Sequence, residues 1–549
     1  MTDWNFADVW ELAARLRGDE RALVHGERKI SWSLFDKRAA GVARRLQEAG
    51  LGRGAKVAQY LYNCNEYLEA LFAAYKVSMV PVNTNYRYGA DELAYLWENA
   101  DAEAVVFHES FLPLVAEVRG RVPGVKLWLC VGEGPDGSLS ALLPEWAEPY
   151  EKAASFLPES ASTHVEAEGG RSGDDLFFLY TGGTTGLPKG VMWRQDDLFV
   201  LLNRGSPLPM PDEEGMEGVA SFLEAIAASP PAVLPACPLM HGTGAFTAFS
   251  ALILGGAVVT LPNKSFDPVA LLDAAEREKV NLISIVGDAF AKPILRALDA
   301  EPDRWDLSSL LGMISSGVIW SEETKRGLLR HNPNMMLVDA FSSSEALGMG
   351  SSVSTADTAA GTASFLLGSE AKVIDEEGRE IPPGSGRPGR LALGGRLPLG
   401  YYKDEEKTAA TFVEIDGVRY SVPGDYAIVA PDGSLQLLGR GSVSINTGGE
   451  KVFPEEVEEA LKTHASVRDA AVVGVPDERF GQAITALVEP VGGREVSAEE
   501  LVEHVKSRLA SFKAPRYVVF VPSVGRSPAG KVDYKELAAR AAAQLGLPA

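Results

Sequence analysis

Apolar positions in the first third of the chain alternate between helical spacing and short unbroken runs. Leu34, Ala39, Val42 and Leu46 fall on one helical face. Ser33-Leu-Phe-Asp36 reads as a capping box at the start of that helix, its hydroxyl satisfying an orphan N–H of the first turn, and Gly50 ends the helix. Lys56–Tyr62 then reads as a strand, Glu66–Lys76 as a helix and Ala104–Phe107 as a buried strand. This alternation predicts parallel strands joined by crossover helices. Residues 205–235 read as a loop insertion, with proline and acid at 207–214, a short helix near Gly218–Ala228, and Pro230, Pro231 and Pro235 closing it. The alternation resumes with a strand at Ala257–Leu261, a helix at Asp267–Glu278 and a strand at Leu282–Val286.

The pattern changes at 371. Ala371–Ile374, Gly389–Leu393, Tyr426–Ala430 and Leu435–Leu438 are short runs separated by Gly, Pro and Asp-Gly turns, which predicts antiparallel strands in a small barrel. Beyond Gly439 a compact α+β unit follows. Pro454 sits at a first helical position, Val467–Val475 and Ala483–Val488 read as strands, and Ser497 caps a helix whose face carries Leu501, Val505 and Leu509. The expected class is α/β: a large N-terminal domain of βα-layered subdomains plus a small antiparallel β-barrel over 1–441, then a small mobile α+β C-terminal domain over 442–549.

Composition narrows the function. The 549 residues carry 52 Lys and Arg against 75 Asp and Glu, a net charge of −23, which argues against a phosphate-backbone footprint and so against nucleic acid as a partner. Cys64, Cys130 and Cys237 are too far apart for a CxxC metal pair and too few for a disulfide framework, which points to a reducing compartment. The N-terminal stretch has the acids Asp3, Asp8 and Glu11 and no basic, apolar leader, and the apolar run Ala245–Leu261 is broken by paired glycines. A cytoplasmic protein without an integral membrane segment is expected, with a homodimer left open.

The richest chemistry lies in Tyr180-Thr-Gly-Gly-Thr-Thr-Gly-Leu-Pro-Lys-Gly190, after the apolar run Leu176–Tyr180. Gly182, Gly183 and Gly186 let the backbone approach an anion, so that successive N–H groups can surround phosphate oxygens. Thr181, Thr184 and Thr185 add hydroxyls, and Lys189 adds charge. The stretch is not a Walker A loop, because Pro188 precedes the lysine and Gly190 follows it. Gly384–Gly389 satisfies GxGxxG, but a proline interrupts it and a strand follows it, so it fails the dinucleotide context.

The 180–190 stretch resembles the phosphate-loop signature of the adenylate-forming (AMP-binding) superfamily, which includes acyl-CoA synthetases. The other motifs follow in that family's order. Asp339-Ala340-Phe341-Ser342-Ser343-Ser344-Glu345 is similar to the family's aromatic-Gly-x-Thr-Glu segment. By that match Phe341 stacks on adenine and Glu345 reaches Mg²⁺, with Thr184 as a second metal-side group, as an aromatic face and a hard carboxylate would suit. Gly395–Tyr401 and Gly424-Asp425 resemble the segments leading to the ribose-binding Asp, with Pro423 where the family has Thr. Gly439-Arg440 to Pro454 resembles the inter-domain signature: the match implies that Arg440 contacts ribose, that Ser442 marks the hinge, and that Gly448, Gly449, Glu450 and Lys451 border the CoA path. Ser527-Pro-Ala-Gly-Lys531 resembles the C-terminal motif that carries the adenylation lysine. Pro238–Gly244 resembles the segment before the acyl pocket, where His241 and Gly242 would face substrate. Ser315, Ser316 and Gly317 match a small-residue stretch against adenine and acyl chain. Ile285–Phe290, with Gly287, together with Ser442–Lys451 and the 205–235 insertion, looks most like actinobacterial fatty-acyl and steroid side-chain CoA ligases.

The resemblance implies ATP, Mg²⁺ and coenzyme A, with a small carboxylic acid as the partner: a fatty acid or a bulky alicyclic, steroid side-chain acid. The implied catalytic groups are Lys531, Glu345 and His241. The implied reaction makes acyl-AMP and pyrophosphate, then acyl-CoA and AMP. Two alternatives stay open: an acyl-adenylating enzyme with another acceptor, and a non-catalytic nucleotide-binding scaffold.

Overall fold

The computed structural model describes the chain except residues 1–2, 135, 159–160, 182–186, 319, 359–363, 448–449, 478–480, 493, 527–531 and 548–549, and the side chains at 440, 442, 450 and 451. Its compact units are Met1–Gly348 with Val353–Ala360 and Gly395–Phe412, and Met349–Ser352 with Gly361–Gly394 and Val413–Ala549. The strands between 371 and 394 and between 418 and 440 thus group with the C-terminal part of the chain.

Two sheets form the scaffold of the first unit. One runs, in spatial order, Gly400–Tyr401, Lys189–Arg194, Leu176–Thr181, Val80–Asn83, Lys56–Tyr60, Ala102–His108, Leu127–Val131 and Glu148–Pro149. Its first three strands are antiparallel and the others parallel. The second runs Arg28–Ser31, Arg21–His25, Ala257–Thr260, Ala232–Pro235, Leu282–Ile285, Gly312–Ser316 and Met336–Ser343. It is parallel after its first pair, so the last four strands end on one edge. Their near-continuous apolar runs reflect burial on both faces by crossover helices.

The helix read from Leu34 to Leu46 spans Trp32–Glu48. Its cap is Ser31, whose hydroxyl accepts from the Leu34 N–H, and not Ser33, whose hydroxyl donates to the Gly18 carbonyl. Starting two residues early turns Leu34 outward, 42% exposed, and puts Trp32 and Phe35 in the core. Gly50 follows the helix with φ +76°, the left-handed cap that glycine allows. The short helix in the insertion runs Gly215–Ala225 and buries Val219 and Leu223.

In the second unit, Ser364–Leu367, Ser434–Arg440, Asp425–Val429 and Gly389–Leu393 are successive antiparallel neighbours, with Ala371–Ile374 also paired to Gly389–Leu393. The α+β part is built on the hairpin Val467–Asp477 and Gly481–Pro490. Its alternation feeds two cores. Ala470 and Val472 pack with Val457, Leu461, Leu501 and Val505, while Ala471, Val473 and Val475 pack with Leu537 and Ala541. Pro454 opens its helix and Ser497 caps the next, as read.

Candidate active site

The phosphate-loop stretch links two paired antiparallel strands, with Thr181 directly opposite Lys189 and Tyr180 opposite Gly190. Gly182, Gly183, Thr184, Thr185 and Gly186 lie outside the described residues. Gly190 has a steric reason: a Cβ there would lie 2.6 Å from the Tyr180 ring, which crosses the neighbouring strand. The entry to the turn is held by Asn83, which is nearly buried. Its side-chain oxygen accepts from the Tyr180 N–H (2.6 Å), and its amide donates to the Tyr180 and Met240 carbonyls (2.9 and 2.7 Å). One side chain therefore ties the phosphate-loop strand to the residue before His241.

The exit of the turn meets a third strand. Lys189 Nζ lies 2.6 Å from Asp404 Oδ2 and 5.8 Å from the centre of the Tyr401 ring. The hydrogen bond from Lys189 holds the Asp404 carboxyl below the usual range. Tyr401 donates its hydroxyl proton to Glu345 Oε1 at 2.7 Å. The indole N–H of Trp193, two turns of the pleat beyond Lys189, donates to the Ser344 carbonyl at 3.0 Å. Ser342 Oγ accepts from the Gly348 N–H and Ser343 Oγ from the Glu345 N–H, so two of these serines shape the turn that presents Glu345.

The remaining first-unit residues sit where the parallel strands of the second sheet end, the edge at which open α/β sheets bind ligands. Ile285 is opposite Ser315, Ser315 opposite Asp339, and Ser316 opposite Ala340. Buried Ser315 accepts from the Gly287 N–H at 2.9 Å, which joins two of the residues assigned to the acyl side. His241 and Gly242 are half-buried at the start of the helix Gly242–Ile253, and Gly242 has Phe246 and Leu179 against it. Gly317 follows Ser316 with open space around its Cα. Phe341 is half-buried on the neighbouring strand Met336–Ser343. Asp339 is buried at 3.4 Å from Lys325, and burial, outweighing that lysine, raises its carboxyl to about 6.

Asp425 and Arg440 belong to the second unit, where they are directly opposite each other on adjacent antiparallel strands, and the Gly441 N–H bonds the Gly424 carbonyl at 2.9 Å. Asp425 is buried. Glu450 and Lys451 lie on the strand Glu450–Val452; their side chains, with that of Arg440, and all of Gly448, Gly449 and Lys531 lie outside the described residues.

Residues 10–402 match the AMP-binding enzyme family, and residues 456–531 match the AMP-binding enzyme C-terminal domain. The chain belongs to the AMP-binding enzyme family. A Mycobacterium marinum protein named medium/long-chain-fatty-acid–CoA/3-oxocholest-4-en-26-oate–CoA ligase is 40% identical, over 97% of this chain and 95% of that protein. The 3-oxocholest-4-en-26-oate–CoA ligase of Rhodococcus rhodochrous is also 40% identical over the same shares. Among solved structures, the anthranilate CoA ligase AuaEII with anthranoyl-AMP has the same fold, with a TM-score of 0.82 at 21% identity over 100% of this chain and 99% of that one. ATP-bound MatB from Rhodopseudomonas palustris gives 0.78 at 25% identity, over 98% and 99%.

Against this family frame, sequence reading missed Asn83, Trp193, Asp404 and the link from Tyr401 to Glu345. Each acts on a partner at least 97, 151, 215 and 56 residues away in the chain. An Asn ending a buried strand, Val80–Asn83, was the one local signal, since a buried amide needs partners. No helix among the described residues is long and apolar enough to cross a membrane.

Proposed function

We propose that this chain activates a carboxylic acid with ATP and transfers the acyl group to coenzyme A. A carboxylate resists attack because its charge repels nucleophiles and oxide leaves badly. Its oxygen attacks the α-phosphorus of ATP, the bond to the β-phosphate oxygen breaks, and pyrophosphate leaves. The sulfur of CoA then attacks the acyl carbon of the adenylate, and AMP carries away the bonding pair. The observation that carries this reading is the convergence of Lys189 and Glu345 on one tyrosine beside the carboxyl ends of the parallel strands. A cationic group for polyphosphate and a carboxylate for a cation there share one support.

In this reading Thr181–Lys189 holds the β- and γ-phosphates, and Ser316, Gly317 and Asp339–Ser344 take the nucleotide, with Phe341 against adenine. Asp425 and Arg440 take the ribose. His241, Gly242, Gly287 and Ser315 face the acid. Lys531 holds the acid carboxylate and α-phosphate together in the first step by position and charge. The hinge is at Ser442, and rotation about it withdraws Lys531 and brings Gly448, Gly449, Glu450 and Lys451 to the CoA path. The donor chemistry fits Mg²⁺: no group of three or more His, Cys, Asp or Glu among the described residues could hold a metal alone, and Mg²⁺ typically binds one or two carboxylates plus substrate phosphates. Glu345 would hold it, with Thr184 beside it, and when bound it neutralises charge on the phosphates. The acid is a medium- or long-chain fatty acid or a steroid side-chain acid, a choice supported by the 40% identity to ligases named for both. We place the reaction in the cytoplasm, consistent with three buried, unbridged cysteines.

The test is pyrophosphate and AMP release over a panel of acids, with and without CoA. CoA-dependent AMP formation with fatty or steroid acids is expected, and ATP binding without turnover on any acid sinks the reading. Within it, Lys531→Ala should abolish ATP–pyrophosphate exchange yet keep thioester formation from supplied acyl-adenylate.

A further inference from the structure

The segment after residue 399 does more than lengthen a sheet. Gly400 and Tyr401 pair with Met192 and Val191, and the turn that follows is locked from within. The Tyr401 N–H donates to Thr408 Oγ1 at 2.9 Å, and that hydroxyl donates to the Asp404 carbonyl at 2.7 Å. Asp404 then caps the helix Glu405–Thr411 by accepting from the Lys407 N–H at 2.9 Å. The Tyr401 ring is 6% exposed and packs toward Phe412, with centroids 6.0 Å apart. Its phenol is thus carried by a strand and a capped helix, with little freedom of its own, and its hydroxyl donates to Glu345.

A glutamate at a serine-rich turn has rotamer freedom that a divalent cation would have to freeze. A fixed hydroxyl on one carboxylate oxygen removes that cost in advance, as groups behind a ligand do in metal sites, where their loss typically lowers metal affinity or activity about 10–100-fold. We infer that Tyr401 is a positioning residue acting through Glu345: its hydroxyl orients that carboxylate for the divalent cation that accompanies ATP. The inference rests on the ligase reading above and goes beyond it by assigning a role to a side chain that touches neither substrate nor cation.

The test uses the full-length protein and α,β-methylene-ATP, whose α,β-bridge does not break, so that it cannot donate its adenylyl group. Calorimetric binding is measured across a Mg²⁺ series for wild type, Tyr401→Phe, Glu345→Gln and the double variant, with a thermal melt of each. Tyr401→Phe keeps the ring and is expected to melt with wild type. It should need about tenfold more Mg²⁺ for the same analogue affinity, bind the metal-free analogue like wild type, and lower kcat without changing the KM for the acid. Glu345→Gln should lose the Mg²⁺ dependence, and adding Tyr401→Phe to it should cost nothing more. A Tyr401→Phe protein with the wild-type Mg²⁺ requirement, or a further loss in the double variant, overturns the inference. Wild type that binds no analogue at any Mg²⁺ concentration instead overturns the ligase reading on which it stands.

Discussion

Two groups of charges in the first unit show opposite designs. Near the N-terminus, Arg28 and Arg38 meet Glu66, Glu69 and Glu151. Arg38 bonds both oxygens of Glu69 at 2.8 and 3.0 Å and both of Glu151 at 2.7 Å, and Arg28 bonds Glu66 and Glu151. Side-chain exposure there is 11% for Arg38 and 0% for Glu69, and burial pushes the Glu69 carboxyl up despite its arginine. At the candidate active site the pair Lys189–Asp404 is 36% and 30% exposed, with Lys189 Nζ 2.6 Å from Asp404 Oδ2. The first group is forked and multiply bonded around a sealed Arg38–Glu69 pair, with Glu151 at its 30% exposed rim; the second is a lone pair with both members exposed to water. Geometry of the first kind fixes structure, because a separated partner has nowhere to go. The second kind can exchange its partner at small cost, since water already screens it.

The comparison breaks first if sealed charges are dispensable. Arg38→Met leaves Glu69 buried without its fork and should lower unfolding free energy by about 3–5 kcal/mol in urea melts; a loss under 1 kcal/mol would place this network with the wet pairs. Glu345→Gln should do the reverse: adenylation falls about 10²–10³-fold, the range seen when one preorganised electrostatic group is removed, while the urea midpoint stays with wild type. Asp339 stands between the two kinds. Burial raises its folded carboxyl to about 6 from an ordinary 3.8, so the folded state binds the proton more tightly than the unfolded one. Its stabilising contribution is full below the ordinary value and is lost as pH rises through about 6. Wild type should therefore lose about 2 kcal/mol relative to Asp339→Asn between pH 4 and pH 7, and parallel stability curves for the two proteins would refute the shift. Smallest is Asp404→Asn, expected to change stability by about 0–1 kcal/mol; a larger loss by the same melts would make Asp404 a structural partner of Lys189 and not an exchangeable one.

The two groups also differ in what the chain discloses. Elements were legible wherever period and caps agreed: the hairpin 467–490, the helix opened by Pro454 and the strands at 371–374 and 389–393 lie where the pattern puts them. The Ser31 cap was misread because Ser31-Trp-Ser33 offers two hydroxyls and the pattern does not choose between them; packing of Trp32 and Phe35 does. Within the candidate site, the pairing of Thr181 with Lys189 was legible because the two lie close in the chain, on the ends of paired strands. Their supports were not. Asp404 is a helix cap by its local sequence, and its second task, meeting Lys189, depends on a strand pairing made across the sheet. The same holds for Glu69, an unremarkable helical acid until Arg38 arrives from another helix.

Asn83 carries a practical corollary. With its three short bonds, one amide stitches the end of the strand Leu176–Thr181 to the carbonyl just before His241. Anyone transplanting residues 238–244 alone between relatives would be swapping one half of a joint. A chimera that carries Val80–Asn83 and the Leu176–Thr181 strand along with the graft keeps the joint whole, and that larger block is the natural module for exchange between relatives.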